Sequence, residues 1–148
     1  MKTTFSYPKW EEIPNINLYL DQVLLYVNQI CPPVSHDKEK GLTASMVNNY
    51  VKHGYLIKPE KKKYQRHQIA RLIAITTLKS VFSIPEIAQT LNTLQTETNS
   101  EQLYNAFVDY MNEGIDPENP IIQTSCQTVK LYYQTLDLIL TKEEGNPK

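Results

Sequence analysis

Glycine is scarce in this sequence, four in 148 residues, and none falls in a G-x-G-x-x-G or Walker pattern. No phosphate-cradling loop is visible, which argues against a nucleotide-dependent enzyme. Cysteine is scarcer still: Cys31 and Cys126 lie 95 positions apart with no second cysteine near either, which is neither a zinc pattern nor a disulfide framework. A reduced, cytoplasmic protein is expected. Long apolar runs are missing too, since residues 18 to 30 are interrupted by Asp21, Gln22, Asn28 and Gln29 and the first ten residues contain none. No signal peptide or membrane span is expected. His36, His53 and His67 are scattered with no H-E-x-x-H, and no serine sits in G-x-S-x-G. No metal, cofactor or catalytic site is expected, and the protein reads as a non-enzyme.

Excess charge is also lacking: 15 Lys and Arg against 16 Asp and Glu leave a formal net charge of −1. That excludes a basic tail, yet the total hides a strong segregation. Residues 52 to 80 carry Lys52, Lys58, Lys61, Lys62, Lys63, Arg66, Arg71 and Lys79 against Glu60 alone, a net of +7. Residues 81 to 148 carry three basic and ten acidic groups, a net of −7. One cationic section is therefore followed by an anionic end, the footprint of a surface for a polyanion if the positive groups face outward.

What is present suits one core, 41% of the residues being hydrophobic. The pattern is mainly helical. Asn15 or Asn17 can cap a helix to about residue 30, which Pro32 and Pro33 end, and residues 32 to 41 read as an exposed, flexible loop. Thr43 can cap a short helix, TASMVNNYVKH, that Gly54 closes. Its wheel puts Met46, Val47, Tyr50 and Val51 on one side and Ser45, Asn48, Asn49 and Lys52 on the other. Residues 55 to 57 then read as a strand returning through Lys63 and Tyr64 as a small hairpin, a wing. From Gln65 to about Val81 the pattern is apolar around much of the circumference, as for an enclosed central helix. Ser83-Ile84-Pro85-Glu86 is a capping box opening the next helix. A fifth helix carries Leu103, Tyr104, Phe107, Tyr110 and Met111 and ends at Gly114, and Asp116-Pro117 opens the last. There Ile122, Cys126, Val129, Tyr133, Leu136 and Leu140 recur at alternating steps of four and three, a seam that suits either the chain's own core or a dimer interface.

The order TASMVNNYVKHGYL, a basic turn ending KKYQRHQIARL, then SVFSIPEIAQTL resembles the winged helix-turn-helix of MerR-type transcriptional regulators. Tyr50 and Gly54 match the end of that family's recognition helix, Tyr64 the tyrosine opening the next helix, and Phe82-Ser83-Ile84 the segment opening another. Including the opening YPKWEEIPNINLYLDQV, the chain resembles an uncharacterised bacterial family with this MerR-like domain. The MerR resemblance covers residues 42 to 94 and implies an N-terminal helix plus MerR-like winged helix-turn-helix over residues 1 to 94, followed by a helical dimerisation or effector part over residues 95 to 148, either separate or packed with the first as one domain.

Three functions follow as expectations. The first is a sequence-specific regulator that binds double-stranded DNA as a homodimer. Thr43, Ser45, Asn48, Asn49, Lys52 and His53 would face the major groove, where asparagine can pair bidentately with adenine. Lys58, Lys61, Lys62, Lys63, Tyr64, Arg66, His67 and Arg71 would lie along phosphates. The second is an adaptor on the same scaffold that binds an acidic protein instead of DNA. The third adds an effector, small molecule or protein, at the C-terminal helices.

Overall fold

A computed structural model describes residues 3–31 and 41–144. The loop expected over residues 32 to 41 lies, apart from Gly41, outside the described residues. Among the described residues the fold is six α-helices, one short 3-10 turn at Trp10–Glu12 and a two-stranded antiparallel sheet. The order is β1 (Leu18–Tyr19), α1 (Leu20–Ile30), α2 (Ala44–Lys52), β2 (Lys63–Tyr64), α3 (Arg66–Leu78), α4 (Ile84–Gln95), α5 (Ser100–Glu113) and α6 (Pro120–Glu144).

α3 is the central element, with nine of its thirteen residues buried. Its apolar circumference requires neighbours on most sides, and α1, α4, α5 and α6 supply them. One cluster of buried side chains runs from Tyr7 to Tyr133, and residues on both sides of position 94 share it. The segment before the sheet lies across this core as a strap. Tyr7 and Ile13 are buried, the Tyr7 hydroxyl pairs with Thr77 Oγ1 at 2.8 Å, and Asn112 bonds both backbone groups of Tyr7. Tyr104 Oη adds a bond to the carbonyl of Pro8 at 2.8 Å.

Helix ends follow the local chemistry closely. Thr43 accepts from the Met46 amide, and Ser83 and Glu86 form the reciprocal box, which holds the Glu86 carboxyl below the usual range through its bonds to Ser83. Gly54 and Gly114 adopt the positive φ that follows a helix end. The last helix begins later than expected. Ile121 N donates to Asn119 Oδ1 at 2.8 Å and Pro120 opens the helix, so the cap-and-proline pair is Asn119-Pro120 rather than Asp116-Pro117.

Two further expectations change, and a third is narrowed. α1 begins at Leu20 rather than near Asn15, because Leu18 and Tyr19 are drawn into the sheet. The wing hairpin between residues 55–57 and 63–64 does not form; Leu18 pairs with Tyr64 and Tyr19 with Lys63. The cause lies in α3, whose side chains claim the carbonyls that such a ladder would use: Arg71 Nε donates to Tyr55 O and Gln68 Nε2 to Ile57 O, both at 2.8 Å. The α6 seam, finally, faces inward. Cys126, Val129 and Tyr133 are buried where α6 packs on α3 and α5, with Ile122, Leu136 and Leu140 half-buried.

Candidate nucleic-acid interface

α2 is built as a two-sided helix. Val47 and Tyr50 are buried, and α2 leans on α1. An asparagine of α1 fixes its entry: Asn28 Nδ2 donates to Leu42 O at 2.9 Å and Asn28 Oδ1 accepts from Leu42 N at 2.8 Å. Gly41 permits that clamp, because it adopts φ +81° and a Cβ there would meet Asn28 Oδ1 at 2.3 Å. With the apolar side so anchored, Ser45, Asn48, Asn49, Lys52 and His53 are all exposed. Asn48, Asn49 and Lys52 have no side-chain partner among the described residues. His53 lies with its ring 5.8 Å from that of Tyr55.

The basic turn is a tight reversal. Lys63 N donates to Glu60 O at 2.9 Å, and both central residues have positive φ, Lys61 at 50° and Lys62 at 66°. Such a turn favours Asn-Gly, since a side chain in the left-handed region costs about 1–2 kcal/mol. Here it carries two lysines, so the strain goes with two ammonium groups held at an exposed tip. Lys58, Lys61 and Lys62 are exposed and make no hydrogen bond or ion pair within the described residues.

The remaining expected contacts are committed inside the molecule. Thr43 spends its oxygen on the α2 cap. Lys63 is half-buried with Nζ 5.3 Å from the centre of the Tyr19 ring. Tyr64 is only 3% exposed, and burial raises its phenol pKa. Arg66 donates through Nε and Nη2 to Ile13 O at 3.0 and 2.8 Å, which ties the strap to α3. His67 Nε2 lies 3.1 Å from Gln65 Oε1. Arg71 bonds Tyr55 O and, through Nη2, Asn92 Oδ1 at 3.1 Å; desolvation lowers its pKa. Arg66, Arg71 and Tyr64 thus hold the frame around the lysine turn through bonds and burial within the chain. The outward set is Ser45, Asn48, Asn49, Lys52, His53, Lys58, Lys61 and Lys62.

The family model for a domain of unknown function, DUF1836, matches residues 8–107. The chain belongs to that family. No curated protein and no solved structure matches it. The DUF1836 match begins in the strap and ends within α5, so it takes in α2, the basic turn and α3 with the contacts that orient them. No helix among the described residues is long and apolar enough to cross a membrane.

Proposed function

We propose that this DUF1836 protein is a transcriptional regulator that binds double-stranded DNA through a MerR-like winged helix-turn-helix arrangement. α2 would enter the major groove with Asn48 and Asn49 toward base edges, and Lys58, Lys61 and Lys62 would lie on phosphates. One observation carries the reading: the hydrogen-bonding face of α2 and the lysine turn are both exposed and make no side-chain hydrogen bond among the described residues, while the neighbouring Arg66 and Arg71 bond backbone carbonyls. Polar amides and clustered ammonium groups left without partners are what a polyanion with readable edges requires. The protein is proposed to act as a dimer. Since the α6 seam is turned inward, pairing would use the outer side of that helix, where Leu131 and Leu138 are 53% and 62% exposed.

A salt titration on duplex DNA tests the proposal. With Lys58, Lys61 and Lys62 as the phosphate contacts, log K should fall against log salt with a slope of about −2.7 per protomer, and a specific site should outcompete bulk DNA. Absence of binding at low salt would overturn the reading in favour of an adaptor for an acidic protein.

A further inference from the structure

α3, α4, α5 and α6 border a cavity of about 70 Å³, open on one side and lined in part by Ala70, Ala74, Leu91, Leu94, Leu103 and Phe107. By the measure that one water needs ~10–15 Å³ of such space, it has room for about five or six carbon atoms. Those six side chains are apolar, so water gains little beside them. Four polar side chains, His67, Arg71, Gln95 and Ser100, line this cavity and also a second recess of about 130 Å³ that reaches Asn92 and residues 54–57. The two spaces therefore adjoin across a polar ring.

Arg71 is the unusual member of that ring. It is half-buried, and its two hydrogen bonds go to neutral acceptors, Tyr55 O and Asn92 Oδ1. No carboxylate pairs with it among the described residues. A guanidinium has five N–H donors, so part of the fork is unused, and a desolvated cation without a counter-charge is costly. A planar carboxylate satisfies both needs at once.

We propose that this is a binding site for a small carboxylate with an apolar body of about five or six carbons, the body in the cavity and the carboxylate on Arg71. The site stands independently of DNA binding. It is nevertheless wired to α2, because Arg71 holds the carbonyl of Tyr55 directly after Gly54, where α2 ends.

Calorimetric titration of the full chain with hexanoate and with hexan-1-ol, in the absence of DNA, tests this. Hexanoate should bind saturably, one per chain, and hexanol at least about tenfold more weakly, the worth of one charge-assisted hydrogen bond. Arg71→Gln should erase that difference. Ser125→Leu, which fills the cavity from α6 and leaves Arg71 untouched, should abolish binding of both while the circular dichroism and melting temperature hold. Should Arg71→Gln fail to fold, the comparison of the two ligands on the unaltered chain and on Ser125→Leu decides the matter alone. Equal affinity for acid and alcohol, unchanged binding to Ser125→Leu, or no saturable binding overturns the proposal.

Discussion

Lys58, Lys61 and Lys62 stand in solvent with no side-chain bond to any other described residue, whereas Arg66 and Arg71, a few residues further on, reach inward and bond backbone carbonyls. Both groups belong to the same cationic stretch of sequence. The difference follows from the side chains. A guanidinium is weakly hydrated and offers a fork of fixed donors, so it can satisfy orphan carbonyls at a half-buried site; an ammonium is a strongly hydrated point charge and stays outside. Net charge over a segment therefore overstates a binding surface when arginines are counted with lysines. In this stretch Arg66 and Arg71 build the frame and Lys58, Lys61 and Lys62 are what it exposes, while Lys63 and Lys79 lie half-buried against Tyr19 and Met46.

The first way to break the comparison is to attack the packed side. Burial pushes the Cys126 thiol from its ordinary 9.0 up to about 12, and burial also raises the Tyr7 and Tyr104 phenols. An acid whose folded pKa is raised keeps its stabilising effect below the unfolded value. That effect is lost as pH climbs from 9 toward 12, because only the unfolded thiolate forms in that window. The loss amounts to about 1.4 kcal/mol per pH unit for the thiol, so stability from urea titration should be flat up to pH 8, and the share of Cys126 in the fall by pH 11 is on the order of 3 kcal/mol, with Cys31, also pushed up to about 12 by burial, adding to it. Cys126→Ala should flatten part of that fall. Next in size is Arg66→Met, which leaves Ile13 O without its donors and frees the strap; a loss of about 2 kcal/mol is expected by denaturant titration. A neutral result there would mean that the inward arginines are no more structural than the lysines.

Legibility followed the same division. Signals that act within a few residues were readable: the Ser83–Glu86 box, Thr43 and Gly54 around α2, Gly114 after α5, and the enclosed character of α3. Their hydrogen bonds close within one turn, so residue type and spacing suffice. What was hidden depends on partners far along the chain. Lys63 and Tyr64 pair with Tyr19 and Leu18, 44 and 46 positions earlier, and Arg66 bonds a carbonyl 53 residues away. The strap carries few apolar residues, yet Tyr7 and Ile13 are buried because Asn112, Tyr104 and Arg66 satisfy its backbone. Within the candidate interface, the outward face of α2 was legible from helical periodicity, and the fate of each cation was not. An alternation of apolar and polar residues fixes a side of a helix; no comparable period tells a basic side chain whether an unpaired carbonyl waits nearby.

On the solvent side the effects on stability should be smaller and can change sign. Lys61→Asn with Lys62→Gly supplies the residues that a turn with two positive φ angles prefers, and a gain of about 1 kcal/mol is expected in thermal unfolding. The same variant should lower the salt slope of DNA binding by about two, since two phosphate contacts go with it. Stability and affinity thus move in opposite directions, which separates a turn strained for binding from one that merely tolerates lysine.

The smallest expected change in stability is also the sharpest test of α2. Asn48 and Asn49 are exposed and bond nothing among the described residues, so Asn49→Ala should shift the unfolding free energy by less than about 0.5 kcal/mol. On DNA the same substitution should cost about 1–3 kcal/mol of discrimination at one position of a half-site, read by competition between base-substituted duplexes, with the salt slope unchanged. Lys62→Ala should do the reverse, weakening all sequences alike and lowering the slope by about one. If both variants weakened binding uniformly, α2 would lie along the backbone with the turn, and the asparagines would be contacts to phosphate or sugar. If neither altered binding, the exposed face would belong to another partner, and the separation of lysines from arginines would remain a property of the fold without being the basis of DNA recognition.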